Sequence, residues 1–198
     1  MTGVQTCALP ILAEDGIDIA FGLDSIAQAE MVEKAFAKAS KPAECVIEIE
    51  VGERRSGIVE EEECRKLLEY LKQCPHIHLR GVFSHDGSSY SAPDIKTACE
   101  QSVIAQKRTL TFAQLCRDNG FAISVVSIGS TPSLANGSKI LEDITEIRPG
   151  TYIFMDASQA NATNNSWNCA ATVLATVMSK PTDERVILDV GAKGRSEE

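Results

Sequence analysis

The sequence predicts an α/β protein: a parallel sheet with crossover helices, followed by a change to strands alone. Three observations carry this. Short apolar runs alternate with amphipathic stretches of ten residues or more from Ile17 to Gly150. Three of those runs end in glycine-rich polar turns, which in a parallel α/β fold lie at the carboxyl edge, where ligands bind. Beyond Ser166 two strand-like runs follow with no helix between them.

In order, Ala13-Glu14-Asp15-Gly16 reads as a helix end with its stop glycine. Ile17 to Leu23 reads as a strand, and Ser25 to Ala39 as a helix whose apolar stripe is Ala27, Met31, Val32, Ala35, Phe36 and Ala39. Cys45 to Val51 is the next strand, suited to a barrel wall. Glu60 to Cys74 is a helix with Cys64, Leu67, Leu68 and Leu71 on its apolar face. Its acids Glu60 to Glu63 sit at the positive end of the dipole and read as solvated surface rather than a metal site. Leu79 to Ser84 is a strand. Pro93 opens a long helix to about Asp118, with Gly120 as its stop. Ala122 to Ile128 is a strand, and Ile144–Ile147 and Tyr152–Met155 flank an Arg148-Pro149-Gly150 turn. Ala170–Met178 and Arg185–Val190 are the closing strands, separated by residues 179–184.

The chain has 198 residues, enough for one core but short of the roughly 250 of a complete barrel. A net charge of -9 with no basic stripe argues against nucleic acid. No apolar run approaches the roughly 20 residues of a membrane span. The 7 cysteines are scattered with no CxxC pair, which reads as free thiols in a reducing, cytoplasmic setting. Residues 1–11 have neither helical nor strand period, lack the marks of a signal peptide, and resemble a translated sequencing-adapter read-through. Residues 195–198 read as the start of another, so the natural segment is expected to be about 12–194, cut at both ends, and Cys7 carries no functional weight.

The strand ends offer the chemistry. In Ser127-Ile128-Gly129-Ser130-Thr131-Pro132, Thr131 suits an N-cap and Pro132 the first helical position. Gly129 lets a ligand approach, and free amides there suit a phosphate; the same turn also serves as an ordinary helix start. At Arg148-Pro149-Gly150-Thr151 the amides of Gly150 and Thr151 are free to join such a cup, or the turn is a type II corner with a solvent-facing arginine. His85 is either a core histidine or a plate to stack on a heteroaromatic ring. Tyr90 lies in a polar loop, where its hydroxyl suits a site. Arg55 either pairs with Glu48 or Glu50, or holds a phenolate-like oxygen.

Four motifs, Glu50-x-Gly52-x-x-Arg55-x-Gly57, Gly81-x-x-x-His85-x-Gly87-x-Ser89-Tyr90, Val125-x-x-Ile128-Gly129-Ser130-Thr131-Pro132 and Arg148-Pro149-Gly150-x-Tyr152-x-Phe154-x-Asp156, resemble in order the D-serine dehydratase and D-threonine aldolase family. That family is related to the N-terminal barrel of alanine racemase and uses pyridoxal 5'-phosphate. The resemblance implies a partial TIM-type (β/α)8 barrel over 12–165 and the start of a C-terminal β domain over 166–194. It implies a D-β-hydroxy amino acid lyase, D-serine dehydratase-like, releasing a keto acid and ammonia. An aldolase or a 3-hydroxy-D-aspartate lyase is the alternative within the fold. A non-catalytic cofactor-binding module of the same barrel is the alternative of another class, and an unrelated phosphate-binding α/β barrel is the fourth reading.

By the resemblance, Arg55 bonds the cofactor's ring oxygen, His85 packs on the pyridine face and Tyr90 contacts the substrate. Ser130, Thr131, Gly150 and Thr151 hold the phosphate, with Gly129 giving it room, and Arg148 falls near the ring nitrogen. The family's cofactor-anchoring lysine would precede residue 12. Its divalent metal, zinc, would be held by a His and a Cys beyond residue 194. His76 and His78 make a poor metal pair, and Lys193 is a poor surrogate anchor. The chain as given is therefore expected to be inactive although its parent is a lyase, and the parent is expected to be a homodimer.

Overall fold

The structure, a computed structural model, describes residues 10–164 and 169–190. The stretches 1–9 and 191–198, which contain most of the adapter-like ends and the Gly191-Ala192-Lys193 motif, lie outside the described residues. Residues 10–14 form helix α1, so helical structure begins inside the segment expected to have none, and Gly16 ends it at φ +80°.

Five parallel strands follow in spatial order β1 to β5: β1 (Ala20–Leu23), β2 (Ala43–Ile49), β3 (Ile77–His85), β4 (Val125–Gly129) and β5 (Glu146–Ile147). Between them lie α2 (Ile26–Phe36), α3 (Glu61–Leu71), α4 (Ile95–Asp118) and the short α5 (Thr131–Ala135). Sequential neighbours pairing in one direction is the winding of a barrel wall, not of a doubly wound sheet. A seven-residue helix, α6 (Ala157–Thr163), comes next. Then β6 (Val177–Thr182) and β7 (Arg185–Leu188) pair antiparallel as an exposed hairpin.

The core lies between the sheet and the helices. On β2, Ala43, Cys45, Ile47 and Ile49 are buried and the residues between them are not. They meet Val32 and Phe36 of α2, Leu67 and Leu68 of α3, and Phe112 of α4 in one cluster. Each such large apolar side chain contributes about 1.5–3 kcal/mol by leaving water. The opposite face is polar. It carries the ion pairs Arg80–Asp18 and His78–Glu44, together with Glu146 and Arg148.

Several boundaries differ from expectation. β1 begins at Ala20, not Ile17; its pairing with β2 starts with Ala20 opposite Glu44. On α2 the buried stripe is Ala29, Val32 and Phe36, while Met31 is exposed. Pro93 stands outside α4; Asp94 is the N-cap, accepting from the Thr97 N–H at 2.7 Å. Strand β6 runs on through Ser179 and Thr182, which pair with Ile187 and Arg185, while Lys180 and Pro181 fall in a register irregularity between them, and the hairpin turns at residues 183–184, so part of the expected separator is strand. Proline is tolerated there because the two-stranded unit leaves each strand an open edge.

Candidate functional site

The carboxyl ends of β2, β3 and β4 and the Arg148–Thr151 corner come together. His85 sits opposite Gly129 in the β3–β4 register, and the next amide, Asp86 N–H, donates to Gly129 O at 3.1 Å. The chain then winds into a 3-10 turn, Gly87–Ser91, which returns Tyr90 to His85 with ring centroids 6.1 Å apart and planes tilted by 47°. His85 is half-buried and not a core histidine, so its ring remains available at the sheet edge.

Arg55 rides on a loop shaped by three left-handed residues, Gly52, Arg54 and Gly57. Glu50 Oε1 accepts from the amides of Gly52 and Arg54, each at 2.7 Å, and Glu48 accepts from Ser56 Oγ at 2.8 Å. Both carboxylates expected as partners of Arg55 are therefore engaged elsewhere. Arg55 instead pairs with Glu53 at 3.3 Å. Glu53 Oε2 reaches to 4.0 Å from His85 Nε2, and its carboxyl lies where a side chain at Gly87 would stand. Glu53 thus links the Arg55 loop to His85. Sequence reasoning missed it, because an acid in a polar turn looks like surface.

The turn after β4 differs by one position from expectation. Ser130 is the N-cap of α5, and Thr131 and Pro132 are its first residues. A side chain at Gly129 would meet Arg148 O at 3.0 Å, so glycine keeps this corner open. Thr131 Oγ1 accepts from the Thr151 N–H at 3.2 Å, which ties the two turns together. That amide, expected to be free, is thereby occupied, whereas Gly150 N–H has no partner among the described residues. Accepting leaves the Thr131 hydroxyl hydrogen free to donate.

Arg148 faces the sheet's polar inner side. Its guanidinium bonds Ser127 Oγ, donates to Ser84 O at 2.7 Å and lies 5.2 Å from the Phe83 ring centroid. It is not a solvent-facing arginine. Glu146 Oε1 accepts from the same Ser127 hydroxyl at 2.5 Å. Burial pulls the Arg148 guanidinium below its usual value, and Glu146 and Glu48 oppose that shift.

Behind the Ser130 turn lies a hydroxyl chain that the sequence did not announce. Ser89 Oγ donates to Asp86 O at 2.8 Å, Ser89 and Ser130 hydroxyls are 2.9 Å apart, and Ser130 and Ser133 are 2.7 Å apart. The side chain of Asp86 is buried beside it.

Among the described residues no three His, Cys, Asp or Glu side chains cluster as metal ligands; His76 and His78 pair with Glu33 and Glu44 at 2.6 and 2.8 Å. No described helix is long and apolar enough to cross a membrane.

A parallel sheet whose strands pair in sequential order, with helices between them, is the winding of a barrel wall. Residues 2–158 match the alanine racemase N-terminal domain, and the chain belongs to that family. It is 29% identical over 182 residues to the D-threonine aldolase of Arthrobacter sp, covering 89% of this chain and 47% of the relative. It is 30% identical over 188 residues to the D-threo-3-hydroxyaspartate dehydratase of Delftia sp. (strain HT23), covering 91% and 48%. A mutant D-threo-3-hydroxyaspartate dehydratase solved in a metal-free form superposes with a TM-score of 0.77 at 29% identity, covering 87% of this chain and 46% of that one. The chain spans about half the length of these relatives.

Proposed function

We propose that this chain is the cofactor-binding part of a pyridoxal 5'-phosphate-dependent lyase acting on D-β-hydroxy amino acids, by β-elimination to a keto acid and ammonia. The observation that carries the reading is the double tie at the sheet edge: His85 in register with Gly129, and Thr151 hydrogen-bonded to Thr131. Together these bring an aromatic plate, a tyrosine hydroxyl and a hydroxyl-and-amide cup into one mouth.

The residues present fit the cofactor. Gly129 leaves room that a Cβ would fill, and Thr131 and Gly150 hold donors with no other use. When bound, pyridoxal phosphate supplies an electron sink for the pair left on Cα as a bond to it breaks. In this reading Thr131 and Gly150 donate to the phosphate, with Ser130 and Thr151 framing them. His85 stacks on the ring face, and Arg55, held by Glu53, swings to the ring's hydroxyl oxygen. Arg148 sits on the inner side of the sheet, toward the ring nitrogen, and its fixed positive charge favours an unprotonated nitrogen there. Tyr90 offers its hydroxyl to hold or pass a proton at the substrate. The 12–165 segment is the barrel part and 166–194 begins the β domain. In the full-length parent a divalent metal, zinc, would supply a Lewis acid for the β-hydroxyl, and two copies would associate. The similarity to a D-threonine aldolase supports a second reading in the same site, cleavage of Cα–Cβ.

Calorimetric titration with pyridoxal 5'-phosphate and with pyridoxal tests the cofactor reading. The phosphate ester should bind at least about tenfold tighter, and Thr131→Val should remove most of that gap, about 1.5–3 kcal/mol for a hydrogen bond to a charged group. Equal affinity for the two ligands would sink the reading.

A further inference from the structure

Asp86 follows the ring-stacking histidine, yet nothing proposed above uses its side chain. It is 6% exposed, and its Oδ1 is buried with no hydrogen-bond partner among the described residues. Such an atom costs free energy and calls for an explanation. The hydroxyls of Ser130, Ser133 and Ser102 stand around the carboxylate. Why the Ser130–Ser133 pair does not satisfy Oδ1 follows from counting hydrogens. A serine hydroxyl carries one. That of Ser89 goes to Asp86 O, because a carbonyl has none to give. Ser130 must then donate to Ser89, and Ser133 to Ser130. Each of these three hydrogens is directed along the chain toward the backbone, so the chain offers none to the carboxylate; Ser102, which accepts from Gln106 Nε2 at 3.3 Å, is the neighbour that keeps a hydrogen to give.

This arrangement suits a neutral Asp86. A protonated carboxyl brings its own hydrogen, which a serine lone pair can accept, and the chain need not turn round. An ionised carboxylate would instead pull the Ser130 or Ser133 hydrogen toward itself and away from the mouth. An anion in the mouth shifts the balance further, since two like charges across one buried serine repel.

Resting on the reading that the mouth holds a phosphate, we propose that Asp86 is its proton partner. Asp86 takes one proton from solvent when a phosphate dianion seats at the Ser130–Thr131 turn, and releases it when the anion leaves. The groups around Asp86 agree with this. His85 of β3 is the nearby titratable cation-former, and Glu53 from the β2–α3 loop lies against Gly87. Ser102 of α4, Ser130 at the N-cap of α5 and Ser133 within it carry no charge. Burial pushes the Asp86 carboxyl above its ordinary value, with the three serine hydroxyls and His85 offsetting part of the rise.

The test is calorimetry of inorganic phosphate binding in two buffers of different ionisation enthalpy, on the native chain and on Asp86→Asn. Asparagine keeps the shape and removes the titration. The native chain should take up as much as one more proton per phosphate than D86N; phosphate's own ionisation is common to both and cancels. Its affinity should also fall relative to D86N, by up to tenfold per pH unit, as pH rises past the point where the free carboxyl ionises. Equal proton uptake with saturable binding in both chains overturns the proposal and leaves the cofactor reading standing. Failure of both chains to bind phosphate or pyridoxal phosphate overturns both. If D86N does not fold, infrared difference spectra of the native chain decide: a protonated carboxyl stretch must appear on adding phosphate, and its absence refutes the proposal.

Discussion

Arg108 on α4 donates its Nε–H to the carbonyl oxygen of Glu50 at 2.7 Å, and the same guanidinium bonds Val59 O. It therefore holds both ends of the loop that carries Arg55. A parallel bridge between Ile49 and Ile58 closes the loop's base, and the Phe112 ring, 5.1 Å from the guanidinium carbon, steadies the clamp from below. Arg108→Met should keep the aliphatic stem and lose the clamp, costing about 1.5–3 kcal/mol. Hydrogen exchange should rise across residues 50–58 while the β3–β4 amides stay protected. Unchanged exchange in the loop would show that the Ile58 bridge suffices alone.

The sheet has one place with no tolerance. A side chain on Gly81 would lie 2.0 Å from Val125 O, the residue opposite it in the β3–β4 register. Gly81→Ala must push apart the two strands whose ends hold His85 and Gly129. Overpacking costs about 1–3 kcal/mol and occasionally more, and the upper end is expected here because backbone is what must move. Urea denaturation should show the midpoint falling; a midpoint within error of the native value would mean the strands part freely.

How much of this was legible in the sequence depends on the range of the signal. The apolar runs of β2 and β3 and the Cys64, Leu67, Leu68, Leu71 face of α3 are local patterns, and they hold. The start of β1 was not legible, because it depends on pairing with a distant segment, Ala20 with Glu44 of β2. The three strand tips could be ranked as a site because glycine and polar residues follow apolar runs. Glu53 as the partner of Arg55 could not, since the left-handed turns at Gly52 and Arg54 re-aim the loop. Asp86 was hidden for a related reason: a His-Asp-Gly run reads as an ordinary turn until Ser102, Ser130 and Ser133 arrive from distant segments.

Cys45 points from β2 into the helix-covered core with no exposed surface. Burial, with the charge of Glu44 adding to it, pushes its thiol up to about 12. Reactivity requires thiolate, so Cys45 should resist a disulfide reagent at pH 8 in the native chain and react only on unfolding. Among the described residues, Cys99 and Cys169, each partly exposed, should be modified first. Mass spectrometry of each site after a short exposure checks this order; early labelling of Cys45 would mean the β2–helix core opens locally.

Asp86 also makes stability depend on pH, with a definite sign. Its folded pKa lies above the ordinary value of 3.8, chiefly through burial. Between the two values the folded chain binds more protons than the unfolded chain, so stability falls as pH rises. The contribution is fully present below 3.8, is lost as pH rises through the folded value, and stays lost above it. Asp86→Asn removes this dependence, since an amide does not titrate. Its stability relative to the native chain should therefore be greatest near neutrality and shrink on acidification toward 3.8. Denaturant midpoints of both chains, followed from the acid side upward through neutrality, give the comparison. A gap that stays constant across that range would show that Asp86 is ionised throughout, with Ser130 or Ser133 turned to face it.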